Sequence, residues 1–218
     1  MEFAAIYIYR MTHIENIPHI LTHGITHKKS NNRNPNYKDI GDREIIAVRT
    51  YKNVAVSNGD VLGNSELINL GDFIPFYFGV RMPMLYVTMH GGNFVEKVTR
   101  QENIVYLVCN VKQLHNSGLF TCYFSDGSAV QRWSKFYGSD KILDLPELIN
   151  WDAVKAKDWG GEENSELKWK KQAEFLIREE IPLDFVFGYV CYNEIAKQRL
   201  IEMGVDPQKI KVHPNSYF

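Results

Sequence analysis

Four of the chain's seven histidines stand close together, at His13, His19, His23 and His27. A zinc-protease helix needs HExxH, with two imidazoles on one face and a glutamate base beside the first. His19 and His23 have the i, i+4 spacing, but Ile20 follows His19, so the base is missing. Gly24 ends the run before His27, and no Asp, Glu or Cys is placed to complete a ligand set. Metal chemistry is therefore not expected, and His23 and His27 read as solvated or cap-binding residues. His13 differs, because it stands at a turn from an apolar strand into a helix. Backbone amides are free at such a turn to meet a small ligand, and Asn16 follows within one turn.

The elements around these residues follow from local pattern. AAIYIYR (residues 4–10) is β-branched and aromatic and reads as a buried strand. Thr12, with Glu15 three positions on, has the spacing of a capping box for a helix that Gly24 stops. Residues 28–44 form a polar, Asn-rich loop, too long for a plain connector. Residues 45–78 carry a second polar interruption, SNGDVLGNSE, and end in the aromatic GDFIPFYFG. NIVYLVCN (103–110) and FTCYF (120–124) read as strands, with SDGSA (125–129) as a turn. Residues 145–159 read as short helices and 160–171 as a mobile charged loop. AEFLIREEI and DFVFGYVCY then read as strands, NEIAKQRLIEMG as a helix and KIKVHP as a last strand. The expectation is one α+β domain over residues 1–218.

Bulk properties narrow the function. At 44% hydrophobic and 23% charged, the 218 residues are those of a globular chain, not a disordered one. A formal net charge of −1 gives no global basic field, so any nucleic-acid contact must use local cations. Cys109, Cys122 and Cys191 lie far apart in apolar settings, which suggests reduced, buried thiols and a cytoplasmic protein. No stretch is long and apolar enough to span a membrane, and the acidic N-terminus does not read as a signal peptide.

Four longer segments, IYRMTHIENIPHILTHGI, IGDREIIAVRTYKNVAV, GDFIPFYFGVRMPMLY and KWKKQAEFLI, carry a resemblance. In this order they are similar to the hallmark segments of DarT, the bacterial DNA ADP-ribosyltransferase toxins of DarT–DarG toxin–antitoxin systems. FSDGSA and LINWDAV resemble the family too, so the likeness runs from about residue 6 to 192. It implies an ADP-ribosyltransferase fold with a split, curved β core, peripheral helices and NAD in the cleft. It implies that Thr12, His13 and Asn16, preceded by Arg10 and Met11, hold the nicotinamide side of NAD, with His19 near the dinucleotide. It implies catalytic roles for Arg49 and Glu174, and contact with the target by the loop at about 157–173. A macrodomain antitoxin of the DarG kind is the implied partner. The family has thymine-modifying and guanine-modifying branches. Met82, where a serine is usual, and the uncommon HGGNFV stretch lean the expectation to guanine.

The chemistry fits residues of these types. Breaking the ribose–nicotinamide bond passes through an oxocarbenium-like state, which a rigid carboxylate stabilises and orients. On sequence alone a lone glutamate such as Glu174 reads as solvated; the resemblance reverses that. Arg49 stays charged, so it suits clamping phosphate or polarising a base better than removing a proton. A paired, stacked base hides its nitrogens, so the acceptor strand must be single or flipped. Lys168, Trp169, Lys170 and Lys171 offer phosphate contacts and a stacking indole, with Lys28, Lys29, Arg33 and Lys38 as an opposite wall. Phe73, Phe76 and Phe78 read as core, and Tyr77 as the aromatic that reaches polar groups. The alternatives are an ADP-ribosyltransferase acting on RNA or protein, and a nucleic-acid-binding module without catalysis.

Overall fold

The computed structural model describes residues 1–60, 65–91, 95 and 97–218. Its strands are β1 (Tyr7–His13), β2 (Asn53–Val56), β3 (Glu66–Asn69), β4 (Ile74–Tyr77), β5 (Ile104–Asn110), β6 (Cys122–Ser125), β7 (Phe136–Tyr137), β8 (Glu174–Ile177), β9 (Gly188–Cys191) and β10 (Ile210–Val212). They form one sheet in the order β10-β9-β5-β1-β4-β8-β6-β7-β2-β3. The helices are α1 (Ile17–His23), α2 (Arg43–Tyr51), α3 (Pro83–His90), α4 (Val111–Ser117), α5 (Leu145–Leu148), α6 (Trp151–Lys155), α7 (Ser165–Lys171) and α8 (Glu194–Glu202). This is the expected α+β architecture.

The sheet is split between β1 and β4. β1 pairs with β5 along its whole length, from Tyr7 opposite Asn110 to His13 opposite Ile104. Toward β4 it keeps the single register pair Tyr9–Tyr77. Pro75 supplies a reason. Its carbonyl points toward β1 and accepts a hydrogen bond from Arg10 Nη1 at 3.0 Å. A strand residue presents its N–H on the same edge as its C=O, so the donor that proline lacks is missing from the edge facing β1. On the other edge β4 pairs fully with β8, Ile74 with Ile177 through Tyr77 with Glu174.

Several sequence expectations are corrected here. Thr12 does not cap a helix: β1 runs through it to His13, and a 3-10 turn, Ile14–Asn16, precedes α1. The cap is the His13 ring, whose Nδ1 accepts from the Glu15 N–H at 3.2 Å. The polar segment 28–44 ends at Asp42, which caps α2 by accepting from the Glu44 and Ile45 amides. Most of 160–171, read as a mobile loop, is α7. The strand read over residues 173–181 stops at Ile177, and the one read over 184–192 begins only at Gly188. Cys109, Cys122 and Cys191 are free and buried, and burial pushes their thiols up, to about 12, 12 and 11. Part of SNGDVLGNSE (61–64) and of HGGNFV (92–94) lies outside the described residues. Among the described residues no helix is long and apolar enough to cross a membrane.

Candidate active site

A cleft of about 450 Å³ opens along the split, within the usual range for small-molecule sites. β1 contributes Arg10 and Met11, β4 contributes Pro75 and Tyr77, and β8 contributes Glu174. α2 closes one side with Ile45, Ile46 and Arg49, and the segment from Thr26 to Asp42 forms another wall.

Glu174 is the first residue of β8 and 3% exposed, in a strand otherwise made of Phe175, Leu176 and Ile177. Burying a carboxylate is costly unless its oxygens are paired. Oε2 accepts from Arg49 Nη1 at 2.7 Å, and Oε1 accepts from the Ala129 N–H at 3.1 Å. The Glu174 amide in turn donates to Ser125 Oγ at 3.3 Å. Each carboxylate oxygen has a second lone pair, which can accept from a ribose hydroxyl.

Arg49 comes from the last turn of α2, and its side chain is 13% exposed. Arg49 lines the cleft, and its Nη2 is buried with no hydrogen-bond partner among the described residues. A buried N–H without an acceptor is unfavourable. Tyr77 lies directly across the β4–β8 pairing from Glu174. Burial, and then the Glu174 charge, push its phenol well above the usual tyrosine range, so it stays a neutral donor.

The six residues expected at NAD divide into two groups. Arg10 and Met11 line the cleft. Thr12, His13, Asn16 and His19 are not among its lining residues; Asn16 and His19 bond its wall, Thr12 supports Asn16, and His13 caps the turn into α1. Asn16 donates to Thr12 Oγ1 and to the Lys38 carbonyl, and accepts from the Lys38 N–H. His19 Nε2 bonds the Asn32 carbonyl at 2.9 Å, and its ring lies 4.5 Å from that of His23. His27 and Lys28 instead line the cleft. Desolvation lowers the pKa of His27, and its Nδ1 accepts from the Lys29 N–H. Lys28 is one of the cations expected on an opposite wall, but no local pattern marks His27, because the approach of residues 26–28 to Gly71 and Thr50 is a tertiary event.

The cations expected at nucleic acid also divide. Lys171 is corrected: it is 1% exposed, and its Nζ donates inward to the carbonyls of Val80 and Val154. Lys171, the last residue of α7, turns into the core, while Lys168 stays exposed with its Nζ over the Trp159 ring. Trp169 is half-buried, and its Nε1 donates to Ser134 Oγ at 2.8 Å. Phe73, Phe76 and Phe78 are core residues.

A split sheet with a glutamate–arginine pair in the split is the architecture of an ADP-ribosyltransferase. The sequence profile of the family described as "ssDNA thymidine ADP-ribosyltransferase, DarT" matches residues 9–218. The DNA ADP-ribosyl transferase of Escherichia coli O127:H6 is 31% identical over 194 residues, covering 88% of this chain and 83% of that protein. The structure of Thermus sp. 2.9 DarT in complex with ADP-ribosylated ssDNA superposes with a TM-score of 0.78 at 25% identity, covering 97% and 96% of the two chains. A DNA ADP-ribosyl transferase–DNA ADP-ribosyl glycohydrolase fusion protein of Thermosipho africanus is 25% identical over 97% of this chain and 48% of its own length. The chain belongs to the DarT family. It is a DNA ADP-ribosyltransferase, and Thermus sp. 2.9 DarT, with the same fold, has been solved in complex with NAD+.

Proposed function

We propose that residues 1–218 act as one catalytic domain that transfers ADP-ribose from NAD to a base of single-stranded DNA and releases nicotinamide. The observation that carries this reading is the Glu174–Arg49 pair fixed in the wall of the cleft. In it, NAD lies along the split against Arg10 and Met11. Asn16, supported by Thr12, and His19 shape the nicotinamide side by holding the 24–42 segment, and His13 caps the turn from β1 toward α1. Glu174 accepts from a ribose hydroxyl and stabilises the oxocarbenium-like state. The free Nη2 of Arg49 takes an oxygen of the pyrophosphate or of the acceptor base. Tyr77, Lys168, Trp169 and Lys170 stand on the acceptor side, and Lys171 does not.

The base is thymine in this reading. The family's description names thymidine. The departure at Met82 that leans toward guanine is fully buried and so does not face an acceptor. The cleft's product is a covalent mark on DNA, and the Thermosipho relative joins transferase and glycohydrolase in one chain. We therefore read the protein as the toxin of a cytoplasmic bacterial toxin–antitoxin pair, with a DarG-like macrodomain partner removing the mark.

The test is incubation with NAD and four short single-stranded oligonucleotides differing in one base, followed by intact mass spectrometry. One added ADP-ribose on the thymine oligonucleotide, lost in Glu174→Gln, supports the reading. An adduct on the guanine oligonucleotide alone replaces the base. No adduct on any DNA, with an adduct on RNA or protein, overturns the acceptor.

A further inference from the structure

Between β6 and β7 the chain makes a ten-residue excursion, 126–135, whose inner and outer halves have different surroundings. The inner half is part of the site: the Ala129 amide holds Glu174, and Ser128 and Val130 line the cleft. The outer half, QRWSK, presents Arg132, Trp133 and Lys135 to solvent, with Trp133 61% exposed. A single exposed apolar residue is ordinary. This one is held in a rigid frame beside the catalytic carboxylate.

The frame is built from several bonds. The Asp126 N–H donates to the Lys135 carbonyl at 3.2 Å, and the Lys135 N–H donates to Asp126 Oδ1 at 2.9 Å. Ser134 Oγ donates to the Ser128 carbonyl at 2.6 Å and accepts from Trp169 Nε1. The Ser128 N–H donates to the Trp169 carbonyl, and Gly127 packs so closely on the Trp169 indole that a Cβ there would sit 2.2 Å from its Nε1. Trp169 thus spends its polar edge inside the protein and supports the loop. The Trp133 ring rests against it, edge to face, with centroids 6.4 Å apart.

Resting on the reading above, we infer that Trp133 is the stacking platform for the acceptor strand, in the role that sequence position suggested for Trp169. An indole of fixed orientation with an exposed ring surface stacks on any base and loses little entropy in doing so. Arg132 and Lys135 flank it for the phosphates, and Lys170 lies on the neighbouring helix close enough to act on Asp126 together with Lys135. The occupant is a nucleotide next to the modified one: the loop's inner half is at Glu174, and Trp133 lies four residues outward from Ala129. The protein's net charge of −1 makes such a local cluster the means by which a polyanion is held.

The experiment compares wild type, Trp133→Ala and Trp133→Phe in steady-state ADP-ribosylation of a single-stranded oligonucleotide, with binding of the same labelled oligonucleotide followed by fluorescence anisotropy. Trp133→Ala raises KM for the oligonucleotide and its Kd about 10-fold, while kcat and the melting temperature stay near wild type. Trp133→Phe recovers most of the loss, since a phenyl ring still stacks. Unchanged KM and Kd in Trp133→Ala, from a wild type that modifies DNA, overturn this inference alone. A wild type that neither binds nor modifies the oligonucleotide overturns both this inference and the reading beneath it.

Discussion

Arg49 and Glu174, 125 positions apart in sequence, meet through one hydrogen bond of 2.7 Å from Nη1 to Oε2. Both side chains are nearly out of solvent, at 13% and 4% exposure, so each charge depends on the other. Removing one partner of such a pair typically costs about 3–5 kcal/mol, because the survivor is left buried and unpaired. Arg49→Ala and Glu174→Ala are each expected to lower unfolding stability by about this much, and the double variant to lose clearly less than their sum. Denaturant unfolding of the four proteins checks it. Strict additivity would mean that the two charges are independently solvated.

Glu174→Gln separates charge from shape. The amide oxygen can still accept from Ala129, so the loop that follows Ser125 keeps its anchor. In the proposed reaction, what is lost is the negative charge facing the developing oxocarbenium. The expected result is a transfer rate lower by about 10²–10³-fold with NAD affinity kept within a few-fold. Single-turnover product formation and calorimetric NAD binding measure the two quantities separately. A variant that keeps a tenth or more of the wild-type rate would remove Glu174 from the chemistry.

Three residues mark where local pattern reaches and where it stops in this chain. Glu174 was legible only through the segment around it, since a glutamate entering a strand is ordinarily solvated. Its burial follows from β8 lying between β4 and β6, a pairing no local pattern encodes. Lys171 reads as a solvated cation because composition does not reveal burial: KWKK is a charge run on paper, but its last ammonium donates to two carbonyls of the core. Trp133 carries no sequence signal, since a lone tryptophan in a polar stretch has no periodicity, and only the frame formed with Trp169 gives it an orientation. The apolar strands β1 and β5 were readable from composition, whereas α2 and the short strands β2 and β3 were not. β2 and β3 have only four residues each, and α2 has no fully buried residue to betray a helical stripe.

His13 ties pH to the wall of the cleft. Desolvation lowers its pKa below the usual 6.5, ahead of the opposing pull of Glu15. Its neutral Nδ1 is the acceptor that caps the turn into α1. A group whose folded pKa is depressed contributes stability that is present above its unfolded pKa and lost as pH falls through the folded one. Wild type is therefore expected to lose stability relative to His13→Asn, whose side-chain oxygen caps without titrating there, as pH drops from 7 toward 5. Unfolding midpoints for both proteins across that range decide it, and parallel curves would show that His13 does not titrate as the cap.

Lys171 makes the opposite end of the pH scale informative. Burial lowers its pKa to about 8, with Arg81 adding a like charge, and its two hydrogen-bond acceptors are neutral carbonyls. Between about pH 8 and the unfolded value near 10.4 the unfolded chain binds the extra proton, so stability rises with pH in that window. Below it both states are protonated, and the desolvation penalty stays constant. The stability of wild type relative to Lys171→Met should thus improve from pH 7 to pH 10, a comparison in which the other lysines and tyrosines largely cancel. The same variant should leave the salt dependence of oligonucleotide binding unchanged, since a buried ammonium releases no counterion from DNA, whereas Lys135→Ala should reduce the slope by about one ion. Urea unfolding at the two pH values and binding titrations across a salt series supply the readings. A pH-independent difference would place the charge of Lys171 in solvent, and a reduced salt slope in Lys171→Met would return it to the DNA-binding surface.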